Sequence, residues 1–193
     1  MIHQGHIAFQ DYLQGKGYTD LMPVEYIDAD YGRDLDMHCF CVGQVFVQAG
    51  GPTSWGAQLL LIIALSITKA EYMAVSQGMK QIKWMFSGMD EVGYPQAKPA
   101  VLYNNNARAI SLTKNTKNNS WVKHINIHHH FVHKCIENGD IIVCHIPSSE
   151  NLTDIFTKPL GYVAHHQGCV MLCLCEDTKQ GEVTEHIKPG GVL

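Results

Sequence analysis

The sequence predicts an α/β domain with one hydrophobic core and five β-strands. Short stretches of β-forming residues recur along the chain, and a long amphipathic helix pattern separates the first three from the last two. The chain has 193 residues, of which 46% are hydrophobic and 17% are charged. Such a composition favours a globular protein over a disordered chain or a coiled coil.

The first three strands are predicted at residues 24–31, 39–47 and 59–66. The first alternates apolar and polar residues, the second is rich in β-formers, and the third is a short apolar run that ends at a polar residue. The turn-like GGP sequence at residues 50–52 lies between the second and third strands. We therefore expect an antiparallel meander.

The strongest helix pattern covers residues 69–92. Its apolar residues, spaced by three and four positions, are Tyr72, Val75, Met79, Ile82, Phe86 and Met89. Such spacing places them on one helical face. Thr68 and Glu71 fit a capping box at the start, and Gly93 with Pro95 ends the pattern.

The second half of the chain alternates strands and helices. Strands are predicted at residues 99–103 and 141–146, and helices at 107–114, 123–138 and 150–157. The resulting element order is three strands, a helix, a strand, two helices, a strand and a short helix. After Pro159 the periodicity fades.

Three acidic residues lie at the ends of predicted elements: Asp28 on the first strand, Glu71 in the first turn of the long helix and Asp154 in the last helix. If they converge on one sheet edge, their carboxylates suit Mg²⁺, and two such ions can support phosphodiester cleavage. Spacing alone leaves open that the three are solvated surface groups and that Glu71 only caps its helix.

Several motifs occur in the order and spacing of a known module. They are YIDADY at 26–31, PTSW at 52–55, ALSITKAEYMA at 64–74, VLY at 101–103, KHI at 123–125 and LTDIFTKPL at 152–160. Together they resemble the ribonuclease H domain of the Pol polyprotein in copia-type LTR retrotransposons. The resemblance covers about residues 9–160.

The resemblance implies a ribonuclease H-like fold, with a five-stranded mixed sheet flanked by helices. It divides the chain into a remnant of the reverse-transcriptase connection at residues 1–22, the ribonuclease H-like domain at 23–160 and a loosely ordered tail at 161–193. The implied partners are an RNA/DNA hybrid, whose RNA strand is hydrolysed, and the reverse-transcriptase domain of the parent polyprotein. The implied cofactor is a pair of Mg²⁺ or Mn²⁺ ions.

The family site has four carboxylates, and this sequence matches three of them, at Asp28, Glu71 and Asp154. At the fourth position, where the family has a metal-binding aspartate, stands Asn105. A neutral amide is a poorer metal ligand than a carboxylate, so the resemblance predicts impaired catalysis. The alternative is a catalytically inactive nucleic-acid-binding remnant or a non-functional transposon fragment.

Basic residues near the third predicted helix are candidates for contacts with hybrid phosphates. They are Lys114, Lys117, Lys123 and Lys134. A solvated charged face explains the same pattern equally well. The net charge of −4 gives no overall electrostatic preference for nucleic acid.

Histidines on the same helix form two i,i+4 pairs, His124 with His128 and His129 with His133, which could share a Zn²⁺ or Ni²⁺ ion. No acid or cysteine completes such a site, so a role without metal is favoured. Tryptophans could stack on nucleic acid, but a core or partly buried role is the default expectation. These tryptophans are Trp55, Trp84 and Trp121.

The longest apolar run, at residues 59–65, is too short for a membrane span, and the N-terminus lacks the apolar block of a signal peptide. The seven cysteines are odd in number and irregularly spaced, which favours reduced thiols. We therefore expect an intracellular protein, cytoplasmic or nuclear, without a membrane partner.

Overall fold

The structure is a computed structural model and describes residues 23–31, 40–48, 51–60, 66–115 and 126–174. The predicted connection remnant at residues 1–22 lies outside the described residues, as do residues 175–193 of the predicted tail. The strands are β1 (Val24–Tyr31), β2 (Phe40–Gln48), β3 (Gly51–Leu60), β4 (Ala100–Asn104) and β5 (Ile141–His145). The helices are α1 (Ile67–Glu91), α2 (Ala107–Lys114), α3 (Asn126–Glu137), α4 (Asp154–Thr157) and α5 (Tyr162–Met171).

The five strands form one mixed sheet in the order β3-β2-β1-β4-β5. Strands β1, β2 and β3 pair antiparallel, as predicted, whereas β1, β4 and β5 run parallel. The carboxyl ends of β1, β4 and β5 therefore meet at one side of the sheet, which we call the C-terminal edge. In open sheets of this kind, side chains at that edge are well placed to act on a ligand.

Helices α1, α2 and α3 cover one face of the sheet and enclose the main core. Its members include Ile27, Phe40, Val75, Met79, Ile82, Leu102, Ile110, Val132 and Ile141. Helix α1 crosses the sheet closely at Gly78, where an added Cβ would lie 2.9 Å from Leu102 Cδ1. The main core thus holds α1 against the central strands and fixes where its first turns lie.

The opposite face is covered in part by α4 and α5. Leu172, just after α5, is buried with Val45 of β2 and Leu152, and Ile155 and Phe156 pack against them. Residues 162–171, at the start of the tail predicted to be loosely ordered, form a helix, so the expectation was wrong for that part. The apolar residues after Gly161 do not make a regular stripe, so their burial depends on the tertiary structure.

The third strand lies at Gly51–Leu60, and the prediction at residues 59–66 was wrong. Strand β3 is at the sheet edge and has one pairing neighbour, β2. Most of its side chains are exposed or only partly buried, so its sequence lacks the apolar signal of an inner strand. Pro52 is tolerated there because an edge strand leaves one row of backbone groups unpaired.

Helix α1 begins two residues before the prediction, with Ser66 in place of Thr68 as its N-cap. The Ser66 Oγ accepts a hydrogen bond from the Lys69 backbone N–H at 3.3 Å. Glu71 is therefore two positions beyond Lys69, the capping-box position of this helix, and is free for another role. The predicted last helix is divided into a 3₁₀ turn (Ser148–Glu150) and α4.

Neither tryptophan of the described residues is in the core, so the core part of the expectation was wrong for both. Trp55 on β3 is 58% exposed and Trp84 on α1 is 67% exposed, while Trp121 lies outside the described residues. Among the helices of the described ranges, none has the length and apolar character required to cross a bilayer.

Candidate functional site

Asp28 lies at the centre of the C-terminal edge, on the central strand β1, and its side chain is buried. Its Oδ1 accepts a hydrogen bond from Asn105 Nδ2 at 3.0 Å. Its Oδ2 accepts one from Thr157 Oγ1 at 2.9 Å and lies 3.1 Å from Lys158 Nζ. The carboxylate is thus surrounded by donors from two other segments of the chain.

Gly43 is the residue of β2 that pairs with Asp28, and it permits α4 to lie directly on the sheet. An added Cβ at Gly43 would lie 2.6 Å from Thr157 Cγ2 and 3.1 Å from the Thr153 carbonyl oxygen. Neither neighbour can easily move, since Thr157 is buried and bonded to Asp28. The missing side chain therefore lets Thr157 and Lys158 reach the carboxylate.

Glu71 reaches the same edge from the first turns of α1, on the other side of β1. Asn104, at the end of β4, donates from Nδ2 to Glu71 Oε2 at 3.0 Å and to the Ile27 carbonyl oxygen at 3.2 Å. Burial, together with the nearby charge of Asp28, raises the pKa of Glu71 to about 7. Asn104 thus ties the helical carboxylate to the central strand.

Asp154 is the first residue of α4, and its Oδ1 lies 2.7 Å from Lys158 Nζ. Because the same ammonium also contacts Asp28, the two aspartates share one counter-ion. The structure therefore brings the late carboxylate close to the first-strand carboxylate, with a lysine between them.

Asn105 occupies the remaining position and donates hydrogen bonds to Asp28 and, at 3.3 Å, to Ser148 Oγ. His145 Nε2 is 3.1 Å from the Asn105 carbonyl oxygen, which anchors the residue to the end of β5. A neutral N–H donor thus faces Asp28 at the position where the resemblance places a fourth carboxylate.

Sequence reasoning missed the residues that hold this arrangement: Gly43, Asn104, Thr157 and Lys158. The last two follow Asp154 by three and four positions, so a helix through the DIFTK segment places all three on one side. That spacing was a usable signal. Nothing in the local sequence marks Gly43 as the site of close packing.

Comparison with known proteins identifies the relatives of this chain. The retrovirus-related Pol polyprotein from transposon TNT 1-94 of Nicotiana tabacum is 33% identical over 142 residues, 74% of this chain. The polyprotein from transposon RE2 of Arabidopsis thaliana is 32% identical over 139 residues, 72% of this chain. The chain is homologous to copia-type Pol polyproteins. No protein-family model matches it.

This Pol homologue spans only 11% and 10% of the length of those two polyproteins. The predicted resemblance to copia-type Pol polyproteins is confirmed by these relatives, and the predicted five-stranded mixed sheet with flanking helices is confirmed by the structure. Among solved structures, the chain is similar to LC11-RNase H1 in complex with an RNA/DNA hybrid. That match has 14% identity and a TM-score of 0.47, and it covers 67% of this chain and 88% of the other.

The candidate nucleic-acid-binding lysines of the Pol homologue are only partly described. Lys114 is exposed at the end of α2, and its charge acts on Cys144 near the C-terminal edge. Lys134 is exposed in the last turn of α3, which leads to the start of β5 at the other end of the sheet. Lys117 and Lys123 lie outside the described residues.

The histidines of α3 form local contacts. The Nε2 atoms of His129 and His133 are 3.1 Å apart, as in a hydrogen bond, and His128 Nδ1 is 2.9 Å from Ser76 Oγ. Burial lowers the pKa of all three. His124, the partner predicted for His128, lies outside the described residues.

The donor types at the C-terminal edge suit a hard divalent cation, because Asp28, Glu71 and Asp154 offer carboxylate oxygens. As they are arranged, however, the described ranges contain no group of three or more His, Cys, Asp or Glu side chains placed to hold an ion. A positive charge does lie between two of the carboxylates, since Lys158 bridges Asp28 and Asp154. The cation that these two aspartates contact in the structure is therefore the Lys158 ammonium.

Proposed function

We propose that this domain binds RNA/DNA hybrids at its C-terminal edge and cuts their RNA strand weakly or not at all. The ribonuclease H resemblance implies that the underlying activity is metal-dependent hydrolysis of the RNA strand. The observation that carries the proposal is the hydrogen bond from Asn105 Nδ2 to Asp28 Oδ1 at 3.0 Å. It puts a neutral donor against Asp28, the carboxylate on the central strand.

Asp28, Glu71 and Asp154 supply the carboxylate oxygens that would hold a divalent ion, although in the present arrangement of the described residues they do not form a metal-binding group. Bound there, the ion would activate a water molecule and stabilise the leaving oxygen of the phosphodiester. Asn105 weakens that function, because it supplies no negative charge and its N–H donor competes for a lone pair of Asp28. A second dication would be affected most, since two ions held side by side repel strongly.

The proposed partners follow from the homology and from the position of the site. The relatives are Pol polyproteins, so we infer that the domain works next to a reverse-transcriptase domain whose hybrid products it receives. Lys114 is an exposed cation near the C-terminal edge and is a candidate for a phosphate contact there. Lys134, near the other end of the sheet, is a weaker candidate.

The test is a cleavage assay on an end-labelled RNA/DNA hybrid in Mg²⁺ and in Mn²⁺, with hybrid binding measured separately without divalent ions. We expect the natural chain to bind hybrid and to cut it very slowly, and Asn105→Asp to recover metal-dependent cleavage. Asp28→Asn in the Asn105→Asp background should abolish the recovery.

Three other outcomes discriminate between the possible functions. Robust cleavage by the natural chain would show that three carboxylates suffice. Hybrid binding without cleavage in the folded Asn105→Asp variant would indicate a binding module. If neither the natural chain nor the Asn105→Asp variant binds hybrid more tightly than duplex DNA, the proposal is overturned.

A further inference from the structure

Lys158 is the cation at the carboxylate site. Its Nζ lies 3.1 Å from Asp28 Oδ2 and 2.7 Å from Asp154 Oδ1, so one ammonium bridges both aspartates. The Lys158 side chain is 34% exposed, whereas that of Asp28 is 2% exposed. The lysine therefore reaches from solvent to a buried carboxylate.

The buried charge of Asp28 needs this ammonium. A buried carboxylate without a counter-ion loses its hydration, at a cost of several kcal/mol. Two neutral side chains, those of Asn105 and Thr157, also donate hydrogen bonds to Asp28. Among the described residues, the ion pair of Asp28 is with Lys158.

The position of Lys158 also allows its ammonium to leave. The residue ends the single turn of α4, and its backbone N–H donates to the Asp154 carbonyl oxygen at 3.0 Å. Its flexible four-carbon side chain is partly in solvent, so the ammonium can swing away while the backbone stays in place.

We propose that Lys158 is a built-in counter-cation that competes with a divalent metal ion for Asp28 and Asp154. The ammonium stabilises the metal-free domain, and a dication binds the two carboxylates only when that ammonium leaves, because the two cations repel at such distances. This inference rests on the proposed function, since it concerns the same carboxylates. It adds an intramolecular competitor that sets the metal affinity.

The chain offers a matched control at Asp140, another buried aspartate. Lys98 Nζ lies 2.6 Å from Asp140 Oδ1, and Lys83 Nζ lies 2.9 Å from Oδ2. Asp140 precedes β5, so this cluster is at the end of the sheet opposite to the carboxylate site. Lys98→Met removes a comparable ion pair without touching the proposed metal ligands.

The first experiment uses the full chain without nucleic acid and measures thermal unfolding and Mn²⁺ binding by calorimetry. We expect Lys158→Met to lower the metal-free Tm by about 5 °C, Mn²⁺ to restore it, and the Kd for Mn²⁺ to fall roughly tenfold. Lys98→Met should lower the Tm without restoration by Mn²⁺ and should keep the natural Kd. An Mn²⁺ affinity of Lys158→Met equal to that of the natural chain would overturn the inference.

The second experiment needs no variant and remains decisive if Lys158→Met fails to fold. Lysines of the natural chain are labelled with acetic anhydride while Mg²⁺ is increased, and each residue is quantified by mass spectrometry. The reactivity of Lys158 should rise with Mg²⁺ while that of Lys98 stays constant. Constant Lys158 reactivity up to millimolar Mg²⁺ would overturn the inference.

Neither experiment contains hybrid, so its outcome is separate from the test of the proposed function. Metal competition without hybrid binding would leave the Lys158 inference intact and overturn the function. Hybrid binding without metal competition would leave the proposed function intact and overturn the Lys158 inference.

Discussion

Two buried aspartates, Asp28 and Asp140, lie at opposite ends of the same sheet and are neutralised in different ways. Asp140 has two ammonium groups to itself, from Lys83 and Lys98. Asp28 shares the single ammonium of Lys158 with Asp154, and Glu71 adds another carboxylate nearby. The first cluster has excess positive charge and the second has excess negative charge.

The difference distinguishes a structural ion cluster from a binding site. At Asp140 the lysine hydrogen bonds lower the pKa of the carboxyl, so its ionised form favours folding. At the other cluster, burial and then repulsion by the Asp28 charge raise the pKa of Glu71, and the excess of carboxylates gives the edge an affinity for added cations. Such a site reduces stability in return for the capacity to bind.

The largest expected effect concerns the close packing that brings Lys158 to Asp28. Gly43→Ala should lower the free energy of unfolding by about 3 kcal/mol, because the new methyl group overlaps Thr157 and α4 must move. Chemical denaturation measures the loss. Gly56→Ala, on β3 with no neighbour within 4 Å, is the control and should change stability little. Equal stability of the two variants would contradict the packing of α4 on β2.

The pH dependence of stability should have opposite signs in the two clusters. Glu71 has an ordinary pKa of 4.5 and a folded pKa of about 7, so the folded state binds more protons between these values and stability falls as pH rises through this range. Asp140 has a lowered pKa, so its contribution is present above 3.8 and is lost as pH falls through its folded pKa.

Urea unfolding between pH 3 and pH 8 separates the two contributions. Between pH 5 and pH 8, the free energy of unfolding of Glu71→Gln should rise relative to that of the natural chain by on the order of 2 kcal/mol. The free energy of unfolding of Asp140→Asn should instead fall less steeply at acid pH than that of the natural chain. A Glu71→Gln profile parallel to that of the natural chain would show that Glu71 is ionised throughout.

In metal-free buffer at pH 7, replacing each aspartate by asparagine should lower the free energy of unfolding by different amounts. Asp140→Asn leaves two lysines without their shared carboxylate, and we expect a loss of about 1.5 kcal/mol, limited by the solvent exposure of both lysines. Asp28→Asn relieves repulsion with Glu71 and should cost less. The same denaturation series gives both values, and a larger loss for Asp28→Asn would reverse the comparison.

The smallest expected effect concerns a buried carboxylate that belongs to neither cluster. Both oxygens of Glu25 on β1 lack a hydrogen-bond partner among the described residues, and burial raises its pKa well above 4.5. Glu25→Met should raise the free energy of unfolding at pH 7 by about 1 kcal/mol, because an apolar side chain of similar volume needs no partner. A stability loss as large as that of Gly43→Ala would indicate that Glu25 has a polar role.

Local signals predicted most of the fold. Strand β1 and helix α2 have the predicted bounds, because β1 alternates and α2 starts at a capping asparagine. The Asn106 side chain accepts hydrogen bonds from the backbone N–H groups of Arg108 and Ala109 at 3.1 and 3.0 Å. Strand β3 was misplaced because an exposed edge strand has no strong periodicity, and the cap of α1 was misplaced because Ser66 and Thr68 are both good N-caps.

The sequence alone determined the chemistry available at the edge: acidic side chains at Asp28, Glu71 and Asp154, and an amide at Asn105. Only the tertiary structure decided how those charges are neutralised. Thr157 and Lys158 contact Asp28 although at least 129 positions of sequence separate them. That contact depends on the space left by Gly43 on a neighbouring strand. Periodicity and caps report interactions within one element, whereas the sharing of a counter-ion depends on the distance between elements after they have packed.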